Sequence, residues 1–234
     1  MKYMGSKNRH AKELLPIILK DRKPGQWYVE PFVGGANMID KIEGNRIGND
    51  FHPFLIAMWQ AVEQGWIPPT DVSEEEYRNA KEQTTIDALT GFIGFGCSYS
   101  GKWFGGFARG NDSKGNPRNY AKESSDNIRK QAPKLKGVKF TNLSYKDMEI
   151  PENSIIYCDP PYASTTGYKT GAFDHAEFWE WCRQKVREGH QVFVSEYNAP
   201  DDFECVWSKK VNNTLTKDTG SKQGVEKLFV WKGE

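Results

Sequence analysis

The run Asp159-Pro160-Pro161-Tyr162 combines residue types that can hold an amino group attached to a flat ring. It directly follows an apolar segment, residues 154–158, and ligands of open parallel sheets bind beyond the carboxyl ends of strands. The two prolines fix φ and remove two N–H donors, so backbone carbonyls point outward from a rigid turn. An ionised carboxylate beside such a carbonyl can accept both hydrogens of an amine. We interpret the run as a site for the exocyclic amine of an aromatic base that stacks on Tyr162. The alternative is that the prolines only end a strand.

A second run, residues 29–37, predicts a strand that enters a glycine turn and then a helix. Gly34 and Gly35 lie at this turn, and glycine allows the backbone to approach a ligand closely. The dinucleotide fingerprint G-x-G-x-x-G is absent, which argues against NAD. Asp50 ends the next predicted strand, where a carboxylate can accept the two hydroxyls of a ribose. A plain strand-to-helix connection would also explain the glycines.

These two runs need a scaffold, and the pattern of the chain predicts an α/β fold. Short apolar runs predict strands, and amphipathic patterns predict helices between several of them. The predicted strands are residues 27–32, 46–49, 138–141, 155–158 and 191–195, and the predicted helices are residues 9–20, 35–43, 53–64 and 174–188. Alternating strands and helices imply crossover connections and a mostly parallel sheet. Two later strands, residues 203–207 and 225–231, predict an antiparallel closing pair.

The stretch from residue 67 to residue 136 interrupts this alternation. Apart from a predicted helix at residues 73–83, it is rich in glycine and aromatic residues, and we expect loops that meet a ligand rather than core helices or strands. Between Gly101 and Phe140 there are ten Lys/Arg and three Asp/Glu, whereas the rest of the chain has 22 and 28. This charge pattern fits a surface that meets a polyanion or, alternatively, a solvated lysine-rich loop.

Four basic side chains of this stretch are our candidate contacts to a polyanion such as a nucleic acid, namely Lys102, Arg109, Lys114 and Arg118. They lie among glycines and the aromatic residues Trp103, Phe104 and Phe107, a mixture that suits a mobile loop closing on a nucleic acid. The planar guanidinium group suits recognition of a base edge, whereas lysine suits phosphate. We therefore expect the two arginines to read bases and the two lysines to contact the backbone.

The overall composition indicates a globular protein and gives no sign of a metal site or a membrane span. Hydrophobic residues make up 37% and charged residues 27% of the 234-residue chain, which supports a packed core. The four cysteines and four histidines are scattered without metal-ligand spacing, so we expect free thiols and no metal. We also expect no membrane span and no signal peptide, and therefore a cytoplasmic location.

Five motifs in a fixed order resemble those of the Dam-type (D12 class, α-group) DNA adenine-N6 methyltransferases, over nearly the whole chain. The matching runs are residues 3–7 (N-terminal cofactor motif), 29–36 (cofactor loop), 49–50 (acidic end of the second strand), 159–162 (catalytic motif) and 192–197 (strand lining the adenine pocket). Ala36 stands where the family usually has a third glycine. The resemblance leaves open whether the protein is of phage or prophage type, and it implies the cytoplasm of a bacterium or of a phage-infected host cell as the location.

The resemblance implies a Rossmann-like, S-adenosylmethionine-dependent methyltransferase domain, residues 1–66 and 137–234. An inserted, partly helical DNA target-recognition region, residues 67–136, would interrupt it. The implied catalytic residues are Asp159, Pro160, Pro161 and Tyr162. The implied contacts to S-adenosylmethionine come from Tyr3, Lys7, Glu30, Phe32, Gly34, Asp50, Phe51 and Asp159.

The implied reaction is site-specific methylation of adenine N6 in double-stranded DNA, by direct in-line attack from a flipped-out base, as in restriction-modification systems. It requires no metal, membrane or obligate protein partner. Residues 98–120 match the Dam recognition hairpin poorly, so the target sequence, GATC included, is left open. Two alternatives also stay open. One is a related methyltransferase that acts on RNA or on a protein amide, and the other is a DNA-binding module without activity.

Overall fold

A computed structural model of the chain describes residues 1–161, 173–212 and 223–233. The chain divides into two compact units. The first consists of Met1–Ala11 and Val33–Asp147, and the second of Lys12–Phe32 and Met148–Glu234. The predicted insertion, residues 67–136, falls within the first unit, and its role in target recognition stays a prediction.

The described residues form strands and α-helices that alternate along much of the chain. The strands are β1 (Tyr28–Glu30), β2 (Arg46–Asn49), β3 (Lys139–Thr141), β4 (Ile155–Cys158), β5 (Gln191–Glu196), β6 (Phe203–Asn212) and β7 (Gln223–Trp231). The helices are α1 (Ala11–Ile18), α2 (Pro53–Glu63), α3 (Glu74–Lys81), α4 (Ala88–Gly96), α5 (Tyr120–Leu135) and α6 (His175–Arg187). This succession confirms the predicted α/β class.

The seven strands form one mixed sheet in the order β3-β2-β1-β4-β5-β7-β6. Parallel pairing joins β2 to β3, β1 to β4 and β4 to β5, whereas β7 runs antiparallel to both β5 and β6. The strand order reverses between β1 and β4, and ligands of such sheets bind beyond the carboxyl ends of the strands at this switch point. The sheet therefore has a preferred ligand edge next to the ends of β1 and β4.

The central strand β4 has the burial expected of a parallel strand covered on both faces. All four of its residues are buried, and its sequence is a short run without alternation of polar residues. Helix α6 begins after Asp174, whose side chain accepts a hydrogen bond from the Glu177 amide, and it buries Phe178 and Cys182. A rigid, buried strand thus leads directly to Asp159.

The predicted strands and the antiparallel closing pair are confirmed, whereas the predicted helix at residues 35–43 is wrong. Only a short 3₁₀ turn, Ile39–Lys41, occurs there. Ala36 has a φ of 53°, in the left-handed region, so a right-handed helix cannot run through it. The chain forms a compact turn instead, and residues 33–36 of this turn are buried.

The expectation that the glycines near residue 91 form ligand-binding loops is also wrong. Gly91, Gly94 and Gly96 lie in the buried helix α4. A Cβ atom at Gly91 would lie 2.1 Å from the carbonyl oxygen of Phe54 in α2, and one at Gly94 would lie 2.2 Å from the Trp103 ring. The glycines allow close packing of α4 against α2 and against the Trp103 ring. This packing stabilises the helix although glycine in a helix costs about 1 kcal/mol per residue relative to alanine.

Candidate active site and cofactor residues

Asp159 and Pro160 follow β4 at the ligand edge of the sheet in the second unit. Pro160 is buried and Asp159 is partly exposed. Behind them, the hydroxyl of Tyr157 is 2.8 Å from the Ser195 Oγ of β5. Burial, and then the negative charge of Asp159, raise the pKa of Tyr157 well above its usual value. A neutral, hydrogen-bonded tyrosine therefore supports the strand that ends at the Asp159 carboxylate.

Glu30 ends the neighbouring strand β1 in the same unit. Val29 lies opposite Ile156, and continuing this register sets Glu30 beside Tyr157, two residues before Asp159. The Glu30 carboxylate is buried and accepts a hydrogen bond from the Tyr28 hydroxyl at 3.0 Å. The sheet thus brings two of the predicted carboxylates to adjacent strand ends.

The ring of Phe32, a predicted cofactor contact, packs edge-on against Phe178 of α6 and against Phe173, with centroids 5.7 and 5.8 Å apart. This packing anchors the segment that follows β1.

Residues 162–172 lie outside the described part of the chain. The stacking role of Tyr162 therefore stays a prediction. Pro161, the last described residue before this gap, is partly exposed.

In the first unit, the Asp50 carboxylate is held in place by two backbone amides. Gly34 N donates to Oδ2 and His52 N donates to Oδ1, each at 3.0 Å. Desolvation raises the pKa of Asp50 to about 6, although these backbone hydrogen bonds act in the opposite direction. Next to it, the Phe51 ring is 62% exposed. A fixed carboxylate beside an exposed flat ring can bind a ribose and stack on a heterocycle.

The N-terminal residue Tyr3 packs directly on the glycine turn, which we define as residues 33–37. A Cβ atom at Gly34 would lie 2.8 Å from Cε1 of Tyr3, so glycine is required for this close contact. The other side of the Tyr3 ring contacts Phe95 of α4, with centroids 5.4 Å apart. The structure therefore brings three predicted cofactor residues, Tyr3, Gly34 and Asp50, together around one turn.

Lys7 is buried and is not a surface lysine on a free terminus. Its Nζ donates to the Gly5 carbonyl at 3.3 Å, and Ser6 Oγ accepts from Asn37 Nδ2 at 2.8 Å. Residues 3–7 thus form a segment held against the glycine turn, and the predicted contact of Tyr3 and Lys7 with the cofactor stays a prediction.

Two residues near this turn were missed by the sequence analysis. Gln131 of α5 is buried, and its Nε2 donates to the carbonyls of Gly35 and Ala36. His52 lies among aromatic rings, and burial lowers its pKa to about 4. Nothing in the local sequence marked Gln131, which lies 95 residues after Ala36 in a helix that the pattern did not predict.

The predicted base-reading arginines make ion pairs with neighbouring carboxylates. Arg109, whose side chain is 68% exposed, pairs with Glu74 at the start of α3. Arg118 binds both carboxylate oxygens of Glu123, and its guanidinium lies over the Tyr120 ring, 4.6 Å from the centroid. The two lysines, Lys102 and Lys114, are exposed. All four predicted DNA contacts are therefore accessible at the surface.

Arg109 and Arg118 flank a short hairpin, residues 109–118, in which Asn111 bridges to Pro117. The Asp112 carboxylate at its tip accepts hydrogen bonds from the backbone nitrogens of Lys114 and Asn116, at 2.8 and 2.9 Å. These bonds shape the turn and lower the pKa of Asp112, so the tip holds one acidic group that is satisfied by the backbone. The Lys114 charge is thus carried on a preorganised turn.

The aromatic residues next to Lys102 are partly buried and pack against neighbouring helices. Trp103 packs on His52, Phe54 and Phe95, with centroids 4.3 to 5.2 Å apart. Phe104 and Phe107 contact Tyr77 of α3. These rings cover parts of α2, α3 and α4, and the expectation of a loop that closes on DNA stays a prediction.

Among the described residues there is no group of three or more His, Cys, Asp or Glu side chains that could hold a metal ion. No described helix is both long enough and apolar enough to span a bilayer. The four cysteines are free, and burial raises the pKa of Cys158 well above its usual value, with Cys182 beside it. The thiol that precedes Asp159 is therefore a protonated core group.

A family model described as D12 class N6 adenine-specific DNA methyltransferase matches residues 3–92 and 105–225. The chain belongs to this family. The match covers the glycine turn, Asp50, and the Asp159 motif, and it confirms the resemblance drawn from the motifs. This D12-class chain is a methyltransferase, and its cofactor is S-adenosylmethionine.

The D12-class chain is also similar to two solved structures. One is the tRNA (m1A58) methyltransferase TrmI from Aquifex aeolicus, at 13% identity and a TM-score of 0.40, over 95% of this chain and 69% of that one. The other is SMU.472, a protein assigned as a methyltransferase and complexed with SAH, at 14% identity and a TM-score of 0.40. The match covers 100% of the D12-class chain and about half, 54%, of SMU.472.

The residues of the first unit fit an S-adenosylmethionine-type cofactor by their chemistry. The Asp50 carboxylate, oriented by Gly34 and His52, offers acceptors for ribose hydroxyls. The exposed ring of Phe51 offers a stacking face. The glycines of the turn leave the space that the Tyr3 ring occupies beside Gly34 and Gly35. The individual cofactor contacts stay predictions.

Proposed function

We propose that this protein is a site-specific DNA methyltransferase that transfers a methyl group to adenine N6 in double-stranded DNA. Adenine N6 cannot be reached inside a duplex, so the target base must be flipped out, which costs a few kcal/mol. Residues 67–136 would form the target-recognition region and the remainder the catalytic domain. Direct in-line transfer needs no covalent enzyme intermediate.

One observation carries the proposal: a carboxylate followed by two prolines stands at the carboxyl end of the buried strand β4, beside the switch in strand order. The Asp159 carboxylate and the Pro160 carbonyl would accept the two N6 hydrogens of the base. Holding both hydrogens turns the nitrogen lone pair toward the methyl group. Positioning and electrostatics of this kind can supply most of the rate acceleration in a transfer from a good leaving group.

The proposed cofactor residues are Tyr3, Lys7, Glu30, Phe32, Gly34, Asp50, Phe51 and Asp159. When bound, S-adenosylmethionine supplies an electrophilic methyl group on a sulfonium centre. Asp50 would accept hydrogen bonds from the ribose hydroxyls, and Phe51 would stack on the adenine ring of the cofactor. The target base would stack on Tyr162, which returns about 1–3 kcal/mol of the flipping cost.

The proposal for DNA as substrate is supported by the basic surface of the first unit. Arg109 and Arg118 border a preorganised hairpin, Lys114 is exposed on its turn, and Lys102 is exposed elsewhere in the same region. Ten basic residues between positions 101 and 140 concentrate positive charge on a chain with a net charge of only +1. Such a distribution favours binding of a polyanion to one region of the surface.

The experiment that tests the substrate class uses tritium-labelled S-adenosylmethionine with duplex DNA, RNA or a protein mixture. Label should enter only the DNA. Transfer to RNA or protein with none to DNA would replace the proposal by one of the two related activities. Methylation-aware sequencing of DNA from an expressing host then gives the target site.

A further inference from the structure

We infer that Gln131 is a positioning residue for cofactor binding, which acts by holding the backbone of the glycine turn, residues 33–37. The inference rests on the proposed assignment of this turn to the cofactor. It also gives the predicted target-recognition region a second role, because Gln131 lies in α5 within residues 67–136.

Every polar atom of the buried Gln131 amide is used. Nε2 donates to Gly35 O at 3.0 Å and to Ala36 O at 2.8 Å, and Oε1 accepts from the Met1 nitrogen. A flipped amide would set Oε1 against two carbonyl oxygens, so the orientation is fixed. The side chain therefore clamps two successive carbonyls.

A third carbonyl of the turn is held in the same way. Trp59 Nε1 of α2 donates to Gly34 O at 2.8 Å. Because the C=O and N–H of one peptide point in opposite directions, carbonyls held by α2 and α5 turn the amides of Gly35 and Asn37 away from these helices. The turn thus presents N–H donors on the side opposite Gln131.

The clamp matters because the turn is strained. Ala36 has a φ of 53° and Gly34 a φ of 46°, and only glycine adopts this region without cost. Without the Gln131 hydrogen bonds, Ala36 is still held by its amide, which donates to Val33 O at 2.8 Å, and by Asp40 N, which donates to its carbonyl at 3.4 Å. The carbonyl of Gly35 loses its Gln131 donor, and we expect the strained φ of Ala36 to relax toward negative values and to rotate the flanking peptides. The predicted result is loss of the amide orientation and of cofactor affinity.

The test measures S-adenosylmethionine binding to the full chain by calorimetry, without DNA. Gln131→Leu removes both donors at nearly constant volume and is expected to raise Kd about tenfold, the effect of losing roughly one buried hydrogen bond. The matched control is Ser125→Ala in the same helix. Ser125 is fully buried, and its Oγ donates to Pro68 O at 2.7 Å, on a segment distant in sequence from the turn.

Three outcomes decide the inference. Support requires a raised Kd for Q131L, a Kd within about twofold of wild type for S125A, and partial recovery of affinity when Ala36→Gly is added to Q131L, because glycine tolerates the positive φ. An unchanged Kd in folded Q131L, or an equal increase in S125A, overturns it. If Q131L does not fold, Q131M provides the same comparison. A wild-type protein that does not bind S-adenosylmethionine would instead refute the cofactor assignment itself.

Discussion

At the scale of single residues, the Asp50 carboxylate links cofactor binding to pH. Its pKa is raised to about 6, and only the ionised form can accept both ribose hydroxyls. Proton binding and cofactor binding therefore compete as the pH falls through 6. Kd for S-adenosylmethionine should be constant above about pH 7 and should approach a tenfold rise per pH unit well below 6.

Calorimetry between pH 5 and pH 8 checks this expectation. Asp50→Asn should bind weakly at pH 7.5 and should lose the dependence near pH 6. His52 does not contribute in this range, because burial lowers its pKa to about 4. A flat Kd for the wild type across the range would exclude Asp50 as the ribose acceptor.

Tyr162 provides a second prediction at the residue scale. We assign its ring to stacking, so Tyr162→Phe and Tyr162→Trp should keep measurable methyl transfer, whereas Tyr162→Ala should lose most of it. Removal of a stacking ring costs about 1–3 kcal/mol per base, or roughly fivefold to 150-fold in rate. Steady-state rates on one DNA duplex measure the series. Equal inactivity of the Phe and Ala variants would assign the role to the hydroxyl instead.

At the scale of elements, the contact of α4 with α2 depends on a glycine. A Cβ atom at Gly91 would lie 2.1 Å from the Phe54 carbonyl oxygen. Gly91→Ala gains about 1 kcal/mol of helix propensity but overpacks a backbone contact, at a cost of about 1–3 kcal/mol. We expect a net loss of stability in urea unfolding. Leu89→Ala, at an exposed position of α4, is the control and should change stability by less than about 0.5 kcal/mol.

Strand β4 was predicted to the residue because it is a short apolar run, whereas β6 extends through polar residues to Asn212 and was predicted only as residues 203–207. Asp159 and Asp50 follow predicted strands, so their place at strand ends was predictable, and their roles stay predictions. The wrong and missing predictions around residues 36, 91 and 131 have physical reasons. Ala36 adopts a positive φ that its type disfavours, and α4 is a helix whose glycines serve packing. Gln131 makes its hydrogen bonds to a segment distant in sequence, and a single sequence carries no signal for such contacts.

At the scale of the whole molecule, DNA recognition is expected to separate into base reading and phosphate contact. Arg109 can leave its exposed ion pair with Glu74 at little cost, since such pairs contribute about 0–1 kcal/mol. Arg109→Ala should lose about 1–3 kcal/mol of discrimination at one base pair. Lys114→Ala should weaken binding to all sequences and lower the salt slope by about one unit.

Methylation rates on single-base-substituted duplexes at two salt concentrations measure both effects. The two variants serve as controls for each other, because each removes one positive charge from the same hairpin. A uniform slowing of all sites by Arg109→Ala would mean that this arginine contacts the backbone. A change in site preference with Lys114→Ala would reverse the assignment of the two side chains.

The most direct test of the central claim is the amount of N6-methyladenine formed in DNA by wild type and Asp159→Ala, measured by mass spectrometry of the nucleosides. Wild type should form it, and the variant should be slower by at least about a hundredfold, because it loses the acceptor that orients the amine. DNA binding should remain, and Glu152→Ala, an exposed carboxylate just before β4, should be fully active. Substantial N6-methyladenine from Asp159→Ala, or a wild-type methyl group on another atom, would contradict the proposed mechanism.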